Sequence, residues 1–84
     1  MEINHEVVGW EVKYGYIKLW GPEKKVAESL PRRFKIMARF ETLHDRHLDS
    51  DGRIYVGTTF MKHFGQGSNI RLKLVEDGFE VSST

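Results

Sequence analysis

Eighty-four residues with a net charge of +1 and no cysteine describe a single domain near the lower end of independent folding. The missing cysteines exclude disulfides, thiolate metal sites and a cysteine nucleophile, and in so small a domain they favour a reducing, cytoplasmic setting. No apolar run reaches membrane-spanning length, and Met1 to Trp10 lacks a basic start followed by an apolar stretch, so neither a membrane span nor a secretory leader is expected.

The charges lie in blocks. Residues 13–39 carry Lys13, Lys18, Lys24, Lys25, Arg32, Arg33, Lys35 and Arg39 against Glu23 and Glu28, a local excess of +6 between two blocks of −3. Only this middle block has the cations for a broad positive face.

In chain order, segment 6–12 alternates, with Val8, Trp10 and Val12 opposite Val7, Gly9 and Glu11, and reads as a strand. Tyr14, Tyr16, Ile17 and Trp20 continue the β signal over 14–20, with Gly15 between the two as a positive-φ turn residue or a bulge. Residues 22–30 suit a short helix: Pro22 at its first position, Glu23 in its first turn, Val26, Ala27 and Leu30 on one face, and Pro31 to stop it. Segment 33–41 fits two templates. As a strand it sets Phe34, Ile36, Ala38 and Phe40 against Arg33, Lys35, Arg39 and Glu41. As a helix it groups Ile36, Phe40, Leu43 and His47 but leaves Phe34 on the wet side, so the strand is preferred.

Leu43 to Asp51 reads as a polar loop closed by Asp51-Gly52, and Arg53 to Phe60 as a strand with Gly57 at a bulge or close approach. Gly65 to Asn69 is a loop. Ile70, Leu72 and Leu74 then alternate with Arg71, Lys73 and Val75, and Asp77-Gly78 suits a type I′ turn into Phe79–Ser82, the clearest hairpin in the chain. The expected fold is one mainly β domain spanning 1–84: about five antiparallel strands in a small barrel or curved sheet, a small α+β variant being allowed, with one short helix at 22–30.

Three constellations carry possible chemistry. In the first, Lys13, Tyr14, Tyr16, Lys18 and Trp20 interleave rings and cations, with Arg33, Lys35 and Arg39 as a second cationic row on a neighbouring strand. Rings exposed on a sheet stack bases and cations hold phosphates, which is how small β-barrels bind single strands. The competing reading makes the rings core and the charges a solvated face. In the second, the residues from His47 resemble an EF-hand calcium loop, with His47, Asp49 and Asp51 as side-chain ligands, Gly52 as the turning glycine and Ile54 after it. His47 stands where the first acid belongs and Thr58 where the bidentate Glu belongs, and the flanks read as strands. A zinc reading from His44 and His47, with Asp49 or His63, lacks a fourth ligand. An Asp-led β-turn is the better account, and no metal is expected. In the third, Gly65 to Asn69 has glycines for a phosphate loop but precedes a strand, so a hairpin loop is the better account.

No spacing marks a nucleophile with its base, and no cofactor signature is present, so the chain reads as a non-enzyme. The leading functional expectation is a nucleic-acid-binding or nucleic-acid-associated module for DNA or RNA, built on Lys13, Tyr14, Tyr16, Lys18, Trp20, Arg33, Lys35 and Arg39. The alternative is a protein-interaction or inhibitor module that uses strand edges and aromatics, with a homodimer among its forms.

Overall fold

The computed structural model describes residues 1–84 and is mostly β. Its elements in order are β1 (Glu2–Glu6), α1 (Gly9–Tyr14), β2 (Tyr16–Lys18), α2 (Pro22–Ala27), β3 (Phe34–Ala38), β4 (Glu41–Arg46), β5 (Arg53–Tyr55), α3 (Thr58–Phe64), β6 (Asn69–Val75) and β7 (Gly78–Ser83). Five strands form one sheet in the order β1-β6-β7-β3-β4, and β2 pairs with β5 in a second, two-stranded sheet. No helix is long and apolar enough to cross a membrane.

The mainly β class holds; a strand over Phe34–Ala38 forms within the expected 33–41, and a helix over Pro22–Ala27 within the expected 22–30. The pairing is not wholly antiparallel, however: β7 runs antiparallel to β6 but parallel to β3, with Ile36 opposite Phe79 and Ala38 opposite Val81. The sheet is therefore mixed. Alternation explains β6 and β7, where Ile70, Leu72, Phe79 and Val81 are buried and Arg71, Lys73, Glu80 and Ser82 are exposed. These buried residues join Phe34, Ile36, Ile17, Ile54 and the α3 pair Phe60 and Met61 in one cluster. Each such apolar side chain contributes roughly 1.5–3 kcal/mol on burial.

Four local expectations are corrected. Segment 9–14 is helix, not strand. Glu11 folds back so that its Oε1 accepts the Val8 N–H at 2.9 Å, half of a capping box, and Gly15 ends the helix with φ 77° and its N–H on the Glu11 carbonyl at 2.8 Å. Six residues are too few for the chain to separate period two from period 3.6. Segment 58–64 is likewise helix. Phe60 and Met61 are buried and Phe64 packs against the core, a spacing that also suits a helix face, while Thr58 and Thr59 stay exposed at its start.

The third correction is β4, expected as loop. It is a polar edge strand on which Leu43 and Arg46 alone are half-buried, so it has no alternation to read. Its register with β3 sets Ala38 opposite Glu41 around the two-residue loop Arg39-Phe40. Phe40 docks on α3, stacked on His63 at 3.7 Å and tilted against Phe60 at 5.2 Å.

The fourth concerns the β6–β7 turn. Val75 pairs with Gly78, so the loop residues are Glu76 and Asp77, and Gly78 is not at positive φ. Glycine is required there for another reason: a Cβ at Gly78 would lie 1.9 Å from the Lys35 carbonyl oxygen, where β7 passes the start of β3.

Candidate functional site

The two-stranded sheet sets the site. Tyr16 lies opposite Tyr55, Ile17 opposite Ile54, and Lys18 opposite Arg53. Ile17 and Ile54 are fully buried, so period two turns Tyr16, Lys18, Arg53 and Tyr55 outward together. Helix α1 adds Trp10 and Tyr14, which sit four residues apart on one helical face.

The rings form a continuous row. Trp10 meets Tyr14 edge-on at 6.2 Å and stacks on Tyr16 at 5.9 Å, and Tyr16 meets Tyr55 edge-on at 5.3 Å. Three cations lie over rings: Lys13 over Tyr14 at 5.3 Å, Lys18 over Trp20 at 4.6 Å, and Arg53 over Tyr16 at 5.3 Å. Trp20 is 61% exposed, Tyr55 52%, Tyr14 50% and Trp10 40%, so these rings are surface, and the core aromatics are Phe34, Phe60 and Phe79. A cleft of about 370 Å³ opens between the tryptophans, lined by Val8, Trp10, Lys18, Trp20, Asp51 and Arg53.

Beneath the cleft, one buried and one half-buried carboxylate hold its backbone. Glu11, fully buried, accepts from the Lys18 N–H at 2.7 Å, and Glu23 accepts from the Trp20 N–H at 2.9 Å. His5 joins the two, its Nε2 2.8 Å from Glu11 and its Nδ1 3.6 Å from Glu23. Burial by itself lowers the His5 pKa, but the hydrogen bond to Glu11 and the charges of Glu11 and Glu23 outweigh it, and the net direction is upward from 6.5. On the far wall, Asp49 Oδ1 accepts from the Asp51 and Arg53 N–H groups, both at 2.9 Å, and its Oδ2 meets Arg53 Nε at 3.0 Å. Burial raises the Asp49 pKa, while those backbone donors and the Arg53 guanidinium lower it, with a net downward shift. Asp49 thus builds the turn that returns the chain into β5.

Of the residues singled out by sequence, Lys13, Tyr14, Tyr16, Lys18 and Trp20 come together here. The second cationic row lies apart from this site. Lys35 pairs with Asp77 at 3.2 Å and shares a depression with Arg33, Asp45 and Asp77, Arg33 also borders a second depression with Arg32, His47 and Leu48, and Arg39 lies at the β3–β4 turn beside Phe40 and His63. Trp10, Arg53, Tyr55 and the His5–Glu11–Glu23 cluster were not legible as site residues. The available signal was the spacing of Val8 to Glu11, the cap-to-third-residue spacing that starts a helix and would have turned Trp10 and Tyr14 to one side.

Comparison with protein-family models, curated proteins and solved structures returned no match.

Proposed function

We propose that this chain is a non-catalytic single-stranded nucleic-acid-binding module, DNA or RNA, whose bases stack on the Trp10–Tyr16–Tyr55 row and in the cleft between Trp10 and Trp20. The observation that carries the reading is the solvent exposure of linked rings with cations laid over them. An exposed aromatic surface of this kind offers roughly 1–3 kcal/mol per stacked base, with little dependence on sequence. The outer face of the five-stranded sheet also carries cations, but they alternate with acids, as in the Arg71–Glu2 pair at 3.5 Å, and no ring lies among the residues lining its depression. A protein partner is the competing occupant, favoured by the unpaired edges of β1 and β4 and by the tryptophans themselves, which are typical of interface hot spots.

The chain's two tryptophans both line the cleft, so their fluorescence reports its occupancy. Titration with unlabelled single-stranded oligonucleotides at about 50 mM salt, where backbone contacts are strong, is expected to quench that fluorescence saturably. An unchanged signal together with no retention on single-stranded DNA or RNA resin overturns the reading.

A further inference from the structure

The platform's own arginine is not free for a phosphate. Arg53 is held by Asp49 at 3.0 Å and by Asp51 at 3.1 Å, so of the two outward cations on β2 and β5 only Lys18 has no carboxylate partner. A strand whose bases lie on the ring row therefore needs cations from elsewhere for its backbone.

Such cations lie beyond β5. Leu48 makes an antiparallel bridge to Ile54, and the same register brings Asp49 level with Arg53, as their ion pair and the Asp49 N–H to Arg53 carbonyl bond at 3.0 Å require. Continued one residue the other way, it sets His47 level with Tyr55. Directly opposite residues point to one side of a sheet, so His47 extends the outer face of Tyr16 and Tyr55, one strand spacing of about 4.8 Å further on.

His47 is also a wall of the depression it shares with Arg32, Arg33 and Leu48, which holds about 260 Å³. No carboxylate lines it; Arg33 also borders a neighbouring depression that includes Asp45 and Asp77, but neither guanidinium is within ion-pair distance of an acid. Arg32 and Arg33 are consecutive, exposed, and held between Pro31 and the buried Phe34. Two unpaired guanidiniums beside an imidazole present planar donors suited to phosphate oxygens.

We infer that the Arg32–Arg33–His47 depression is a phosphate-binding site that anchors the backbone of a strand whose bases lie on the Trp10–Tyr16–Tyr55 row. This rests on the proposed function for the identity of the ligand, while the anion site stands on its own geometry. It gives the bound strand a direction across the molecule, from the tryptophan cleft over β2 and β5 to the two arginines.

The test has two arms. In the first, a fluorescein-labelled single-stranded oligonucleotide of about a dozen nucleotides, within the range of such sites, is titrated by anisotropy across salt into the wild type, R32A/R33A and R32K/R33K. The alanine pair is expected to weaken binding at every base composition and to flatten the log K against log salt slope by about 0.7 per lost contact. The lysine pair, which keeps the charge, is expected to retain most of the slope. Wild-type affinity and slope in R32A/R33A, with the oligonucleotide still quenching the tryptophans, overturn the anchor and leave the stacking reading intact.

In the second arm, inorganic pyrophosphate is titrated into the wild type and followed by the Arg Nε–H and His47 ring resonances. Saturable shifts confined to Arg32, Arg33 and His47 support the anion site even if no oligonucleotide binds, in which case the stacking reading fails and a phosphorylated ligand of another kind is indicated. No shift at these residues overturns the site.

Discussion

His5 Nε2 lies 2.8 Å from the Oε2 of Glu11, and both side chains are almost wholly buried. The same oxygen accepts the Lys18 N–H, so one carboxylate ties β1, α1 and β2 together beneath the aromatic cleft. The folded-state pKa of His5 is raised, so its contribution to stability is complete below the unfolded value near 6.5 and is lost as pH rises through the folded value. Urea midpoints of the wild type should therefore fall as pH is raised from about 6 to 9, and His5→Gln should flatten that dependence. A wild-type midpoint that rises over the interval contradicts the assignment.

Glu11→Ala removes the acceptor for two backbone N–H groups and the imidazole at once. Breaking a buried pair by deleting one partner costs about 3–5 kcal/mol. Because Lys18 and Trp20 hang from this cluster, partial loss of structure should appear first as a change in the tryptophan emission maximum, ahead of the far-ultraviolet circular dichroism. Coincident transitions by the two probes would show that the cluster belongs to the single cooperative unit instead.

Gly15 and Gly21 provide a matched pair. Both have positive φ, 77° and 51°, but a Cβ at Gly15 would lie 2.6 Å from the Gly57 carbonyl carbon, whereas one at Gly21 meets nothing within 4 Å. Gly21, with ψ −120°, lies outside the left-handed helical well that Gly15 occupies with ψ 38°, so Gly21→Ala should cost a backbone strain of about 1–3 kcal/mol without a clash. Gly15→Ala should cost clearly more, since Gly15 also accepts the Val56 and Gly57 N–H groups, both at 2.9 Å, and any shift of its backbone breaks them. Equal denaturation midpoints for the two variants would refute the close approach.

Asp49→Ala should loosen the turn into β5. It deletes the acceptor for the Asp51 and Arg53 N–H groups, worth about 1 kcal/mol net per hydrogen bond. The Asp49 pKa is depressed, so its stabilisation is present above the unfolded value of 3.8 and lost as pH falls through the folded value. The stability difference between wild type and variant should accordingly shrink in acid. A difference that holds constant down to about pH 2 would show that the carboxylate's charge contributes nothing.

On the platform, rings and cations should separate in binding experiments. Trp10→Ala is expected to weaken oligonucleotide binding by roughly 1–3 kcal/mol with the salt slope nearly unchanged. Lys18→Ala should reduce the slope by about 0.7 on single strands. Trp10 is a safer probe than Tyr16, because it is more exposed, whereas Tyr16 is half-buried and touches three neighbours of the site. A melt that matches the wild type must accompany each variant, and equal effects of both on the slope would merge the two roles.

The sequence by itself determined the features in which one face of a segment is buried and the other wet. Ile70, Leu72, Phe79 and Val81 alternate because β6 and β7 cover the core on one side only, and the same holds for Phe34 and Ile36 on β3. Pro22 and Pro31 bracket the segment in which α2 forms, and the rings and lysines interleaved over 13–20 reach the surface near one another. Tertiary structure alone decided the rest. Segments 9–14 and 58–64 are too short for periodicity to separate helix from strand, so the choice fell to contacts made by distant residues: Lys18 on Glu11, and Phe40 on Phe60. β4 carries no pattern because an exposed edge buries almost nothing, and the parallel pairing of β3 with β7 joins residues some forty positions apart, which no local signal encodes. The candidate site shares that origin. Tyr16 and Tyr55 face the same way only because Ile17 and Ile54 meet in the core beneath them.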